Sequence, residues 1–188
     1  MTSTPIDLGR PVAGDVVELI LADHVRFETL LRQLRDASSD RDAVRRALAT
    51  LHVAHAEAEE RHVYPTLRTE HAIGAHEAEH GEEEHAEGNQ ALLDVLELAS
   101  VTGQEFDDAV EELSRVLNHH LTEEELTILN PARADVPAAA RAELGLAFVA
   151  ERNAQLDDDC GRLENVRAIV ARAEQQGLLE EGEDGSSS

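Results

Sequence analysis

The stretch Leu51 to Pro65, LHVAHAEAEERHVYP, constrains the fold more than any other, because it sets His55 and Glu59 four residues apart inside a helical pattern of apolar residues. At about 100° per residue the two side chains lie within about 40° of each other on one helix face. An imidazole and a carboxylate on an inward stripe are costly to desolvate unless something pairs with them. The arrangement returns as His120 and Glu124 in HHLTEEELTILNP, so two segments echo one another as His, three residues, Glu-Glu, a few residues, Pro. Two such helices facing each other can hold two metal ions between them.

The rest of the chain supplies partners for these helices. Asp15 is placed to cap a first helix through VVELILADHVRFETLLRQLRDA, where Val16, Leu19, Ile20, Asp23, Phe27, Leu30, Leu31 and Leu34 recur at three and four residues. His24 lies on or beside that stripe. After SSDRD, with Ser39 or Asp40 as cap, a second helix runs from about Asp42 toward Pro65, which should kink or end it. Gly74 and Gly81 weaken the start of a third helix, which is surest after Gly81. A turn at Gly103 precedes a fourth, through Phe106, Val110, Leu113, Val116, Leu117, His120 and Glu124 toward Pro131.

No stretch alternates with period two over the length of a strand, so the fold class is all-α. Four helices with short connections imply an up-down-up-down bundle. Beyond Pro131, Pro137 opens AAARAELGLAFVAERNAQL, DDDCG interrupts, and RLENVRAIVARAEQQG follows as a last amphipathic segment. The expected organisation is a flexible N-terminus over 1–14, the four-helix bundle over 15–131, a C-terminal helical appendage over 132–177, and a disordered acidic tail over 178–188.

Charge narrows the function. Sixteen Arg, no Lys and 40 Asp or Glu give a net charge of −24, which repels phosphate backbones and anionic membrane surfaces. Nucleic acid is therefore not an expected partner. No window reaches the eighteen or more apolar residues that a membrane span needs. Cys160 is the single cysteine, and MTSTPIDLGRPVAGD lacks the basic start and apolar run of a secretion signal, so a cytoplasmic protein is expected.

Counting inward candidates yields His24 on the first helix, His55 and Glu59 on the second, a histidine on the third, and His120 and Glu124 on the fourth. Imidazole with carboxylate suits iron, zinc or manganese, whereas calcium and magnesium take oxygen alone. Approximate two-fold symmetry between helix pairs brings Glu59 and Glu124 toward a shared centre, where each can bridge two cations. His119 and Glu123 form an equally spaced pair about 100° round the helix; Leu113, Val116 and Leu117 favour His120 as the inward one.

At these residues the chain resembles the hemerythrin-like family, the HHE cation-binding domain, over roughly Asp15 to Pro131. The resemblance is carried by ADH at His24, HAEAEE followed by YP, EEH at His85, and HHLTEEE. On the third helix it implies His85, with the pair His76 and His80 as the alternative seen in members that supply two histidines there. The ligand set is then His24, His55, Glu59, His85, His120 and Glu124, one imidazole short of the five in respiratory hemerythrins. His62 or Tyr64 can complete the sphere or bond a ligand. The appended AERNAQL…CGRLENVRAIV resembles tails of actinobacterial members.

The resemblance implies two iron ions with a bridging oxo or hydroxo group and a partner of few atoms: dioxygen, peroxide or nitric oxide. Competing readings are an enzyme that turns over peroxide or nitric oxide with help from Tyr64 or His62, and a metal buffer or scaffold without chemistry. Phe27, three residues beyond His24, is expected to wall off the open positions.

Overall fold

A computed structural model describes residues 6–179; the expected flexible start and acidic tail fall partly on 1–5 and 180–188, outside the described residues. Four long helices form the bundle: α1 (Val16–Arg35), α2 (Arg41–Ala58), α4 (Ala75–Glu97) and α5 (Gln104–Glu124). Each packs on its neighbours in sequence, and α1 also meets α5 while α2 meets α4, so the four close into an up-down-up-down ring. No strand occurs among the described residues.

The helix starts follow from local chemistry. The Asp15 carboxylate accepts from the Val17 N–H at 3.0 Å, and Asp40 accepts from the Ala43 N–H at 3.1 Å, each satisfying a donor that the first turn leaves free. The third bundle helix begins at Ala75, earlier than the glycines suggest, because Glu77 reaches back to accept the Gly74 N–H at 2.9 Å. Gly81 and Gly88 remain inside it because their missing side chains make room. A Cβ on Gly81 would stand 2.8 Å from the Tyr64 hydroxyl, and one on Gly88 would stand 2.9 Å from His52 Nε2.

Neither proline ends its helix. Residues Glu59–Val63 and Glu125–Leu129 are π-helical turns, continued by α3 (Tyr64–Thr69) and α6 (Asn130–Asp135). Pro65 and Pro131 have no N–H to donate, and their rings crowd the carbonyl four residues back. The wider turn absorbs this: Tyr64 N–H donates to Glu59 O, and Asn130 N–H to Glu125 O, each five residues back. The echo between the two motifs is thus also an echo in backbone shape.

Two apolar clusters flank the middle of the bundle. One gathers Leu30, Leu34, Leu48, Leu92, Phe106 and Leu113; the other gathers Val17, Ile20, Val63, Leu67, Leu129 and Phe148. Between them lies a layer of buried His and Glu side chains. α7 (Ala138–Asp157) packs on α1 and α2, and α8 (Leu163–Gln176) on α4, so the segment after the bundle is docked along its sides. Residues 6–14 form no helix, but Ile6 and Leu8 pack against the first cluster.

Candidate metal centre

α1, α2, α4 and α5 each turn a histidine inward in the polar layer: His24, His55, His85 and His120, all 3% exposed or less. Glu59 and Glu124 lie among them at 0% and 1% exposure. Their ligand-type atoms gather into two groups, His24 with His55 and Glu124, and Glu59 with His85 and His120, and within each group every such atom is within 4.8 Å of the others. The six residues singled out in the sequence are therefore brought together in one layer.

Each carboxylate reaches across both groups. Glu59 Oε2 lies 3.2 Å from His55 Nε2 and 3.2 Å from His85 Nε2. Glu124 Oε2 lies 3.1 Å from His24 Nε2 and 3.9 Å from His120 Nε2.

The other ring nitrogen of every histidine is tied to a further carboxylate. His24 Nδ1 meets Glu125 Oε1 at 2.9 Å, His55 Nδ1 meets Asp23 Oδ2 at 3.4 Å, His85 Nδ1 meets Glu60 Oε1 at 2.9 Å, and His120 Nδ1 meets Glu84 Oε2 at 3.1 Å. A carboxylate accepting at Nδ1 holds the ring in place and turns Nε2 inward, as in carboxylate–histidine–metal triads. Of these inward atoms His24 Nε2 is hydrogen-bonded to Glu124 Oε2, whereas Nε2 of His55, His85 and His120 and both oxygens of Glu59 are buried without a hydrogen bond. Nitrogen and oxygen sit 3.2 Å apart but do not make a well-formed hydrogen bond. Buried polar atoms left so are costly, and imidazole with carboxylate is the donor chemistry of iron, zinc or manganese. The residues fit a pair of transition-metal ions.

Protonation in the metal-free chain follows from the same contacts. Burial disfavours charge on His55, but Glu59 and Asp23 together outweigh it and raise its pKa to about 10. His85 is likewise raised to about 10, burial being outweighed by Glu59 and Glu60. Burial alone would push the Glu59 carboxyl up, yet His55 and His85 hold it well below the usual range. His120 is lowered, chiefly by burial and despite Glu84.

The remaining histidines sort themselves. His76, His80 and His119 are exposed, and His85 is the histidine of α4 that faces inward. His119 Nε2 and His80 Nε2 lie 3.6 and 3.8 Å from Glu84 Oε1, outside the layer. His62 is partly exposed and faces Glu151 at 3.9 Å. Tyr64 is buried, stacks on His85 at 5.8 Å and points its hydroxyl at Glu124 Oε1, 3.4 Å away. Burial and the Glu124 charge raise its pKa well above the ordinary phenol value. The π turn explains the exchange: in a regular α-helix His62 would lie about 60° from Glu59 and Tyr64 about 140° away, whereas a five-residue turn carries Tyr64 back over Glu59. Phe27 stands edge-on to His55 at 5.1 Å and to His52 at 6.0 Å, so it walls off His55, not His24 as its spacing suggests.

Several residues escape sequence reasoning. Asp23 lies on the inner stripe of α1 but gives no sign there of its contact with His55; Glu60 and Glu125, the second members of the Glu-Glu pairs, are legible only as repeats. His52, buried against His85 at 6.1 Å, is held neutral by burial and then by the neighbouring imidazoles. Arg152, 0% exposed, comes from α7 and has no signal in the motif at all.

The model of a protein family described as the hemerythrin HHE cation binding domain matches residues 15–131, the stretch that contains all six inward residues. No curated protein and no solved structure matches the chain. No helix among the described residues is long and apolar enough to cross a membrane.

Proposed function

Because this chain belongs to the hemerythrin HHE cation-binding family, we propose that its buried layer holds a pair of non-haem iron ions with an oxo or hydroxo bridge and binds or reacts with dioxygen, peroxide or nitric oxide. His24, His55 and Glu124 would hold one ion and Glu59, His85 and His120 the other. The observation that carries this reading is that Nε2 of His55, His85 and His120 and both Glu59 oxygens are buried without a hydrogen bond, while the outward Nδ1 atoms of these three histidines each meet a carboxylate. A reduced iron pair supplies electrons to a small oxidant.

The protein's own part is selection and proton control. Six side-chain ligands leave positions open on two six-coordinate ions, which favours small-molecule chemistry. Phe27 and the flanking apolar clusters keep the layer dry and limit the partner to a few atoms. A second reading, turnover of the oxidant, is favoured by Tyr64: its phenol, kept protonated by burial and the surrounding carboxylates, is a donor at Glu124 Oε1, 3.4 Å away. A cytoplasmic location and an organisation of bundle (15–131), helical appendage (132–177) and acidic tail (178–188) complete the proposal.

Iron quantitation with stopped-flow absorbance of the di-ferrous protein tests it. Two irons per chain, and a spectral change on mixing with oxygen, peroxide or nitric oxide, are expected. Two irons with an unchanged spectrum for all three would leave storage or scaffolding, and one iron or none would remove the dinuclear centre.

A further inference from the structure

α7 lies outside residues 15–131, yet it touches the layer at one chosen ligand. Arg152 is the largest of the fully buried side chains. Its Nε donates to Asp23 Oδ2 at 2.6 Å and its Nη2 to Asp23 Oδ1 at 2.8 Å, a two-pronged pairing that fixes the carboxylate plane. Its remaining donors reach Leu8 O at 2.7 Å and Gly9 O at 3.0 Å, so the guanidinium is bonded on every side. Asp23, 1% exposed, accepts at its Oδ2 from His55 Nδ1. One helical turn before Arg152, Phe148 stands edge-on to the same imidazole at 6.0 Å.

The other three carboxylates on the histidines are held differently. Glu125 and Glu60 have side chains 47% and 38% exposed, and Glu84, although buried, has only the exposed His80 and His119 near its second oxygen. Asp23 alone is buried and paired with arginines: the partly exposed Arg26, whose single Nη1 contact to Oδ1 is 3.2 Å, and the fully buried Arg152, which makes the two-pronged pairing. A carboxylate that shares its charge with a guanidinium is a weaker acceptor than a free one, and a carboxylate held at two points cannot follow the ring if the ring moves. Of the four histidines, His55 thus has the most rigidly placed partner.

We propose that Arg152 is a positioning residue of the metal centre: acting through Asp23 it sets the orientation of His55, so that the segment beyond the family's own domain governs the ion at His24, His55 and Glu124 more than the ion at Glu59, His85 and His120. This rests on the two-ion reading above. It makes α7 a working part of the centre and the two ions inequivalent.

The test uses the full-length metal-free protein titrated with Co²⁺ against a chromophoric chelator, together with ring ¹⁵N shifts of the Zn²⁺-loaded protein. In Arg152→Gln one of the two binding steps should weaken by about tenfold or more, and the Nδ1 signal of His55 should move while those of His85 and His120 stay. Arg152→Lys, which restores the charge without the fork, should recover only part of the loss. If Arg152→Gln does not fold, the double variant Asp23→Asn, Arg152→Met removes both charges together and avoids an unpaired buried carboxylate; the same selective loss is expected. Two ions bound with unchanged affinities, or with both weakened equally, would overturn the positioning role and leave the two-ion centre standing. A wild-type chain that binds neither ion would overturn both.

Discussion

His55 and His85 carry the strongest consequence of the layer's electrostatics. In the metal-free chain each has a pKa of about 10, held up against burial by Glu59 with Asp23 or Glu60. Both are therefore protonated at neutral pH, and a metal ion must displace those protons to reach Nε2. His24 is also raised, against burial, by Glu124 and Glu125, so uptake of two ions at pH 7 should release at least about two protons, read by calorimetry in buffers of different ionisation enthalpy, and affinity should rise with pH; release near zero would show the imidazoles already neutral. A raised histidine pKa also means that the metal-free fold has this stabilisation in full below about pH 6.5 and loses it as pH rises through about 10. Urea titrations of metal-free protein between pH 6 and pH 10 should show that decline. At Tyr64 the expectation is different. Tyr64→Phe keeps the ring on His85 and removes the donor at Glu124, so it should cost about 1 kcal/mol, retain both ions, and change the rate of reaction with peroxide. Gly81→Ala, whose Cβ would stand 2.8 Å from the hydroxyl, should displace the same donor by pushing and destabilise by about 1–3 kcal/mol. Unchanged peroxide kinetics in both variants would leave Tyr64 a packing residue only.

Helices decide which of several chemically equal residues matter. α4 carries His76, His80 and His85, and α5 carries His119 beside His120, but only one from each helix faces the layer. The apolar stripe at Leu92, Val95 and Leu96 sets the rotation of α4, and Leu113, Val116 and Leu117 set that of α5. His76→Ala, His80→Ala and His119→Ala should leave metal content at wild type and stability within about 0.5 kcal/mol. His85→Ala and His120→Ala should each lose at least one ion. Metal analysis of the five variants checks the assignment, and loss of an ion from His80→Ala with retention in His85→Ala would reverse it. The π turns belong to this scale too, since a change of one residue per turn is what moves Tyr64 in and His62 out.

Across the whole molecule, the appendage completes the bundle's walls. Leu144, Phe148 and Val149 of α7 are buried in the cluster that contains Val16, Val17 and Ile20 of α1, and Arg141 Nε donates to the α1 cap, Asp15, at 2.7 Å. At about 1.5–3 kcal/mol for each large apolar side chain, three of them are worth about 4.5–9 kcal/mol, comparable with the total stability of an ordinary domain at about 5–15 kcal/mol. A chain ended after residue 136 should consequently show no cooperative thermal transition by circular dichroism when metal-free, although it retains all six inward residues. A sharp transition near that of the full chain would show the bundle self-sufficient. The net charge of −24 points the same way for partners: it favours cations over phosphate backbones near the surface.

Helix content, the bundle and five of the inward residues, His24, His55, Glu59, His120 and Glu124, are legible in the sequence because they depend on periodicity: a helix face is a property of spacing, and His55–Glu59 and His120–Glu124 state that spacing directly. What lies off that lattice is not. Whether His85 or the pair His76 and His80 turns inward depends on the rotation that α4 adopts against its neighbours. Tyr64 enters because each proline forces a wider turn, and a helical wheel drawn at a constant angle puts it on the wrong side. Asp23, Glu84 and Arg152 meet the layer through contacts between residues far apart in the chain, 129 positions for Asp23 and Arg152. Local spacing sets which side chains share a helix face; only the packing of one helix against another selects the groups that hold those side chains in place.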